Sequence, residues 1–152
     1  MCSGRTKEVS TRKESPGYWR RDESTEEEIM FENTKAFSGF SVDDVSKAEK
    51  FYGETLGLRV SEEYGMLWLH IAGEWDVLVY PKPDHTPASF TILNFPVDNI
   101  EEAVDELAAR GVRFERYDDS EQDERGIYHG VGPLIAWLKD PAGNVLSVIQ
   151  QG

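Results

Sequence analysis

Two stretches of the chain carry the same order of apolar and polar positions, 55 residues apart. From Phe37 to Val42 the residues alternate, with Phe37, Gly39 and Ser41 on one side and Ser38, Phe40 and Val42 on the other, which predicts a strand. Asp43 and Asp44 then offer side-chain oxygens for a helix N-terminus, and Val45, Ala48, Phe51, Tyr52 and Leu56 recur at helical spacing. The second copy sets Ile92, Asn94 and Pro96 against Leu93, Phe95 and Val97. Asp98 and Asn99 follow, and then Ile100, Ala103, Val104, Leu107 and Ala108. Gly57 and Gly111 stand where each helix would end in a left-handed residue. Phe40 matches Phe95, Val42 matches Val97, Asp43 matches Asp98 and Ala48 matches Ala103, so the chain repeats one unit.

Each unit continues into strands. After the first helix, 58–64, 66–72 and 76–82 read as strands, with Gly73 and Glu74 as a tight connection. Such a hairpin pairs residues whose numbers sum to about 147, setting His70 opposite Val77 and Trp68 opposite Val79. The proline-rich 81–87 reads as a linker. After the second helix come strand candidates at 112–118, 134–139 and 145–150, the last two joined by the turn sequence DPAGN. The prediction is βαβββ, linker, βαβββ: an α+β domain over 31–152, with modules at about 35–82 and 88–150.

The first thirty residues break the pattern. They are rich in Lys, Arg, Asp, Glu, Ser and Thr and poor in aliphatics, the composition of a disordered tail. Met30-Phe31 offers an alternative start, which would make the tail an extension. It contains no apolar stretch of the signal-peptide kind. The whole chain carries a formal charge of −13. Residues 31–152 hold 10 Lys/Arg against 22 Asp/Glu, a surface that repels nucleic acid and anionic membranes. No stretch reaches the ~18 apolar residues of a membrane span. Cys2 is the single cysteine, so no intrachain disulfide is possible and a reducing cytoplasm is the expected compartment.

FSVDDVSKAEKFYGETLGL and WLKDPAGNVLSVI together resemble the vicinal oxygen chelate superfamily: glyoxalase I, fosfomycin- and bleomycin-resistance proteins, and extradiol dioxygenases. The resemblance spans about residues 36–150. It implies two modules whose mixed sheet curves around a cleft, with metal ligands entering from the first and last strands of each module. It also makes a homodimer the expected assembly. Carried over one at a time, the implied ligand positions fall on Phe37, on Val77 (to within one residue), on Ile92 and on Ser147. Serine is a poor ligand and the other three have no donor atom, so no metal and no cofactor is expected.

The cleft is therefore expected to be an apolar pocket for a small molecule, lined by Phe37, Trp68, His70, Val77, Ile92, Asn94, Trp137 and Ser147. Trp68 would stack on a planar ligand, and His70, Asn94 and Ser147 would orient it. Filled core at Phe37, Val77 and Ile92 is the other outcome. The segment 126–133 is either a plain connection or a flap in which Tyr128 and His129 close over a ligand. Besides a purely structural or partner-binding role, with the sheet's outer surface forming a homodimer, two functions stay open. One is a metal-free binding protein for an aromatic or amphipathic ligand. The other is an enzyme: a glyoxalase-like lyase or isomerase, or a dioxygenase relative, with unfamiliar ligands or His70 as general base.

Overall fold

The computed structural model describes residues 30–72, 75–118 and 121–152. The predicted tail up to residue 29, the Gly73-Glu74 connection and residues 119–120 lie outside the described residues. The chain divides into two units, Met1–Ala36 and Phe37–Gly152. In the first, a turn closes on Thr34, whose amide and hydroxyl both donate to the Phe31 carbonyl.

The second unit holds the two predicted modules. Its first contains β1 (Ser38–Val42), α1 (Val45–Lys50), β2 (Arg59–Glu63), β3 (Met66–Ile71) and β4 (Trp75–Pro81). These strands form a four-stranded sheet in the order β1-β4-β3-β2, with β1 parallel to β4. Its second contains β5 (Thr91–Pro96), α2 (Ile100–Ala109), β6 (Leu134–Lys139) and β7 (Val145–Gln150), in a three-stranded sheet ordered β5-β7-β6. The fold is α+β with two mixed sheets. Among the described residues no helix is long and apolar enough to cross a membrane.

Local chemistry starts and stops the helices as the repeat suggests. Asp44 accepts from the Lys47 amide and Asn99 from the Glu102 amide, so the second residue of each polar pair is the cap. Gly57 and Gly111 adopt φ of 74° and 93°, the left-handed region that ends a helix with little strain. Helix α1 departs from the simple pattern at its C-terminal end, where Phe51–Thr55 widens into a π-helical turn. That turn presents Tyr52 to the interior, where it is fully buried.

One apolar core serves both modules: Val42, Leu67, Leu69, Val77 and Val79 of the first sheet, Ala136, Leu138, Leu146 and Val148 of the second, and the helical residues Ala48, Tyr52, Ile100 and Val104. A polar lock joins the modules through the DPAGN turn. Asp140, 5% exposed, accepts from the amides of Ala142 and Asn144 at one oxygen. Its other oxygen takes the Tyr52 hydroxyl at 2.7 Å and the Asn144 side chain at 2.9 Å. The Asn144 side-chain amide also donates to the Ser41 carbonyl of β1 at 2.9 Å. Burial first, and then the Asp140 charge and hydrogen bond, raise the Tyr52 phenol far above its ordinary pKa.

The second module corrects one expectation. Residues 112–118 form no strand; only a single bridge joins Phe114 to Leu138. Side chains replace the ladder there: Gln122 accepts from the Tyr117 amide and donates to the carbonyls of Glu115 and Gly126. The Arg116 guanidinium donates to the carbonyls of Asp123 and Glu124. Because these groups are satisfied locally, the segment leaves the sheet edge. The 126–133 segment is anchored, with Ile127 fully buried and Tyr128 bonded to Ile135, which favours a plain connection over a flap.

Candidate functional site

The β3–β4 pairing places every side chain of the first sheet. Its register is Leu67↔Val79, Trp68↔Leu78, Leu69↔Val77 and His70↔Asp76, one residue from the expected pairing. The connection spans three residues, since Ile71 still pairs with Trp75. A one-residue shift moves a strand's side chains to the other face. Val77 therefore shares the core face with Leu69, and the expectation that it faces the cleft beside His70 is corrected. Asp76 and Leu78 take that place.

The face opposite the core carries Gly39 and Ser41 on β1, Asp76 and Leu78 on β4, Trp68 and His70 on β3, and Arg59 and Ser61 on β2. His70 Nδ1 lies 3.1 Å from Asp76 Oδ1, and His70 Nε2 lies 2.8 Å from Ser61 Oγ. A carboxylate can only accept, so Nδ1 carries the proton; in the neutral ring Nε2 is then an acceptor and the Ser61 hydroxyl donates to it. The imidazole is thereby held in one tautomer, with its basic nitrogen on a hydroxyl. Its side chain is 19% exposed and that of Asp76 18%, so the chain of groups is shielded yet reachable. Neither Ser61 nor Asp76 is a candidate on sequence alone. Only the corrected register brings Asp76 to His70.

The remaining predicted residues do not converge on one cavity. Phe37 is 38% exposed and meets Trp68 edge-on, at 5.1 Å between ring centroids and 65° between planes. The indole of Trp68 is fully buried, so the accessible aromatic of this pair is Phe37. In the second sheet Ser147, also fully buried, donates to Asn94 at 2.5 Å. Trp137 pairs across the strands with Ser147 and packs against the rings of Tyr117 and Tyr128. The other two histidines have local duties. His85 bridges Ser41 and the Ala142 carbonyl, and His129 pairs with Asp123.

A cavity of about 370 Å³ opens at the seam between β1 and the start of β5. Phe40, Val77, Tyr80, Phe90 and Ile92 give it apolar walls, and Ser38, Ser41, Thr86, Thr91 and Asn144 give it polar groups. Ile92 reaches it because β5 bulges there: Thr91 pairs with Val145 while Leu93 pairs with Leu146, leaving Ile92 as the extra residue. Such a bulge re-aims a side chain at a strand end.

The chain matches the model of the Glyoxalase/Bleomycin resistance protein/Dioxygenase superfamily over residues 36–148. The protein belongs to that superfamily. No functionally curated protein matches it. Among solved structures, the superfamily member resembles TnmS3, an antibiotic-binding protein from Streptomyces sp. CB03234, at 23% identity and a TM-score of 0.57, over 79% of this chain and 98% of that one. A glyoxalase family protein from Enterococcus faecalis matches at 22% identity and 0.57, over 79% and 99%. The fosfomycin resistance protein FosX from Listeria monocytogenes matches at 12% and 0.60, over 78% and 93%. These likenesses concern the fold.

The metal centre that the superfamily resemblance implies does not fit the residues present. Phe37 and Ile92 have no donor atom. The strand β4 position offers Val77 toward the core or Asp76, which is engaged with His70. The Ser147 hydroxyl is buried and turned to Asn94. Among the described residues no three His, Cys, Asp or Glu side chains group to hold an ion.

Proposed function

We propose that this superfamily member is a small-molecule-binding protein that holds an aromatic or amphipathic ligand in the seam between its modules, without a divalent metal. The observation that carries the reading is the seam cavity. Its volume falls in the range of ligand pockets, and it combines apolar walls from both modules with a few polar groups. Ile92, at a position where the superfamily resemblance implies a metal ligand, supplies wall instead of a donor. Phe90, 69% exposed at the rim, is placed to close on a flat ligand. The antibiotic-binding relative with the same fold supports this choice of ligand class. A cytoplasmic homodimer belongs to the same reading, supported by the lone cysteine and by the superfamily resemblance.

The test is a thermal-shift screen of aromatic metabolites and antibiotics, followed by titration of hits against Ile92→Trp. Binding is expected in the native chain and lost in the variant, whose indole would occupy the seam. Absence of any hit, or hits indifferent to Ile92→Trp, would remove the proposal. Incubation with zinc, nickel, manganese and iron(II) is expected to leave no stoichiometric metal on the protein.

A further inference from the structure

We infer that Ser61, His70 and Asp76 form a nucleophilic triad that takes acyl groups from small activated esters, an esterase activity separate from the seam pocket. Two observations carry this. The groups follow the order acid, imidazole, hydroxyl, with Asp76 on Nδ1 at 3.1 Å and Ser61 on Nε2 at 2.8 Å. That arrangement fixes the tautomer needed for general-base activation of a hydroxyl. The three residues also sit on adjacent paired strands, β2, β3 and β4, so their spacing is set by the sheet rather than by loops.

The other histidines show that the combination is not generic. His85 holds a serine but its second nitrogen faces a backbone carbonyl, and His129 holds the carboxylate of Asp123. Among the described residues, His70 engages a hydroxyl on one ring nitrogen and a carboxylate on the other. Phe37, exposed on the rim of the same face, offers an apolar surface to an acyl chain. Arg59 and Glu63, two charged residues, flank Ser61 on this face of β2.

The chemistry balances without a further reagent. Ser61 Oγ attacks the ester carbonyl carbon and its proton passes to His70 Nε2, the imidazolium being stabilised by Asp76. The bond to the alcohol oxygen breaks, and the departing alcohol takes that proton. Water then attacks the acyl-Ser61 carbonyl, gives a proton to Nε2, and releases the acid as Ser61 recovers its proton. The sum is ester and water to acid and alcohol.

The experiment treats the full chain with a fluorophosphonate probe, in which an Oγ–P bond replaces P–F, and maps the adduct by peptide mass spectrometry. One adduct on Ser61 is expected, together with p-nitrophenyl acetate hydrolysis that Ser61→Ala abolishes. His70→Gln should slow labelling by at least about a hundredfold. Asp76→Asn should slow it and also change the pH dependence of the labelling rate, which a merely structural carboxylate would not do. Circular dichroism of each variant reports folding, and if Ser61→Ala does not fold, the mapped site on the native chain decides alone. No adduct, an adduct elsewhere, or labelling of Ser61 unaffected by His70→Gln would overturn the triad. Seam binding can persist in any of these outcomes.

Discussion

Removing one oxygen from the interior tests how the two modules are locked. In Tyr52→Phe the ring stays in place, still packed against Phe40 and Phe51, and only the hydroxyl is lost. Asp140 then keeps three of its four donors: the amides of Ala142 and Asn144 and the Asn144 side chain. The lost contact is short, at 2.7 Å, and runs between a fully buried phenol and a carboxylate that is 5% exposed. Water can scarcely replace it. A hydrogen bond to a charged group contributes about 1.5–3 kcal/mol, and that is the expected destabilisation. Urea unfolding followed by tryptophan fluorescence would read it as a lower midpoint at unchanged slope. A change below about 0.5 kcal/mol, typical of an unremarkable surface substitution, would refute the lock.

The same bond has a pH signature whose sign can be worked out. The folded-state pKa of Tyr52 is raised, by burial first and then by Asp140. A group raised on folding stabilises fully below its unfolded pKa, and the contribution is lost as pH rises above it. For a tyrosine that loss starts near pH ~10 and reaches about 1.4 kcal/mol one unit higher. The stability gap between the native chain and Tyr52→Phe should therefore narrow by that amount between pH 9 and 11. A constant gap would place the phenol in contact with water.

Three further outcomes follow from the same region and its neighbours. Asn144→Ala removes side-chain bonds to both Asp140 and Ser41, and should cost about 1–3 kcal/mol in urea unfolding. Gly143→Ala should lower the thermal midpoint, because φ is +85° there and an added Cβ would meet Pro87 at 3.2 Å; the strain is about 1–2 kcal/mol. For Asp123, burial acts to raise the pKa, but bonds from His129 and from the Ile127 and Arg125 amides outweigh it and hold the carboxyl below its usual range. The 121–129 loop should accordingly be stable above the ordinary aspartate pKa and loosen as pH falls through the depressed folded value. Amide exchange at Ile127 would show this, and Asp123→Asn should remove the pH dependence.

Much of this fold was legible because the repeat states it twice. Caps at Asp44 and Asn99, glycines at the helix ends and the strands flanking DPAGN all rest on local chemistry that one sequence displays. Residues 112–118 were not legible, since their apolar alternation matches a strand, while the groups that draw them off the sheet, Gln122 and Arg116, act through side-chain bonds no period reveals. The site was lost to a single unit of register. Two- and three-residue connections are both compatible with the residues around Gly73, and pairing numbers that sum to 147 or to 146 look equally good in β3. Strand β4 breaks the tie. Val77 and Val79 need the core that Leu67 and Leu69 also face, and pairing them directly satisfies all four at once. Alternation then leaves Asp76 no place but the opposite face, beside His70. The packing of four aliphatic side chains on one side of the sheet thus sets an acid on an imidazole on the other.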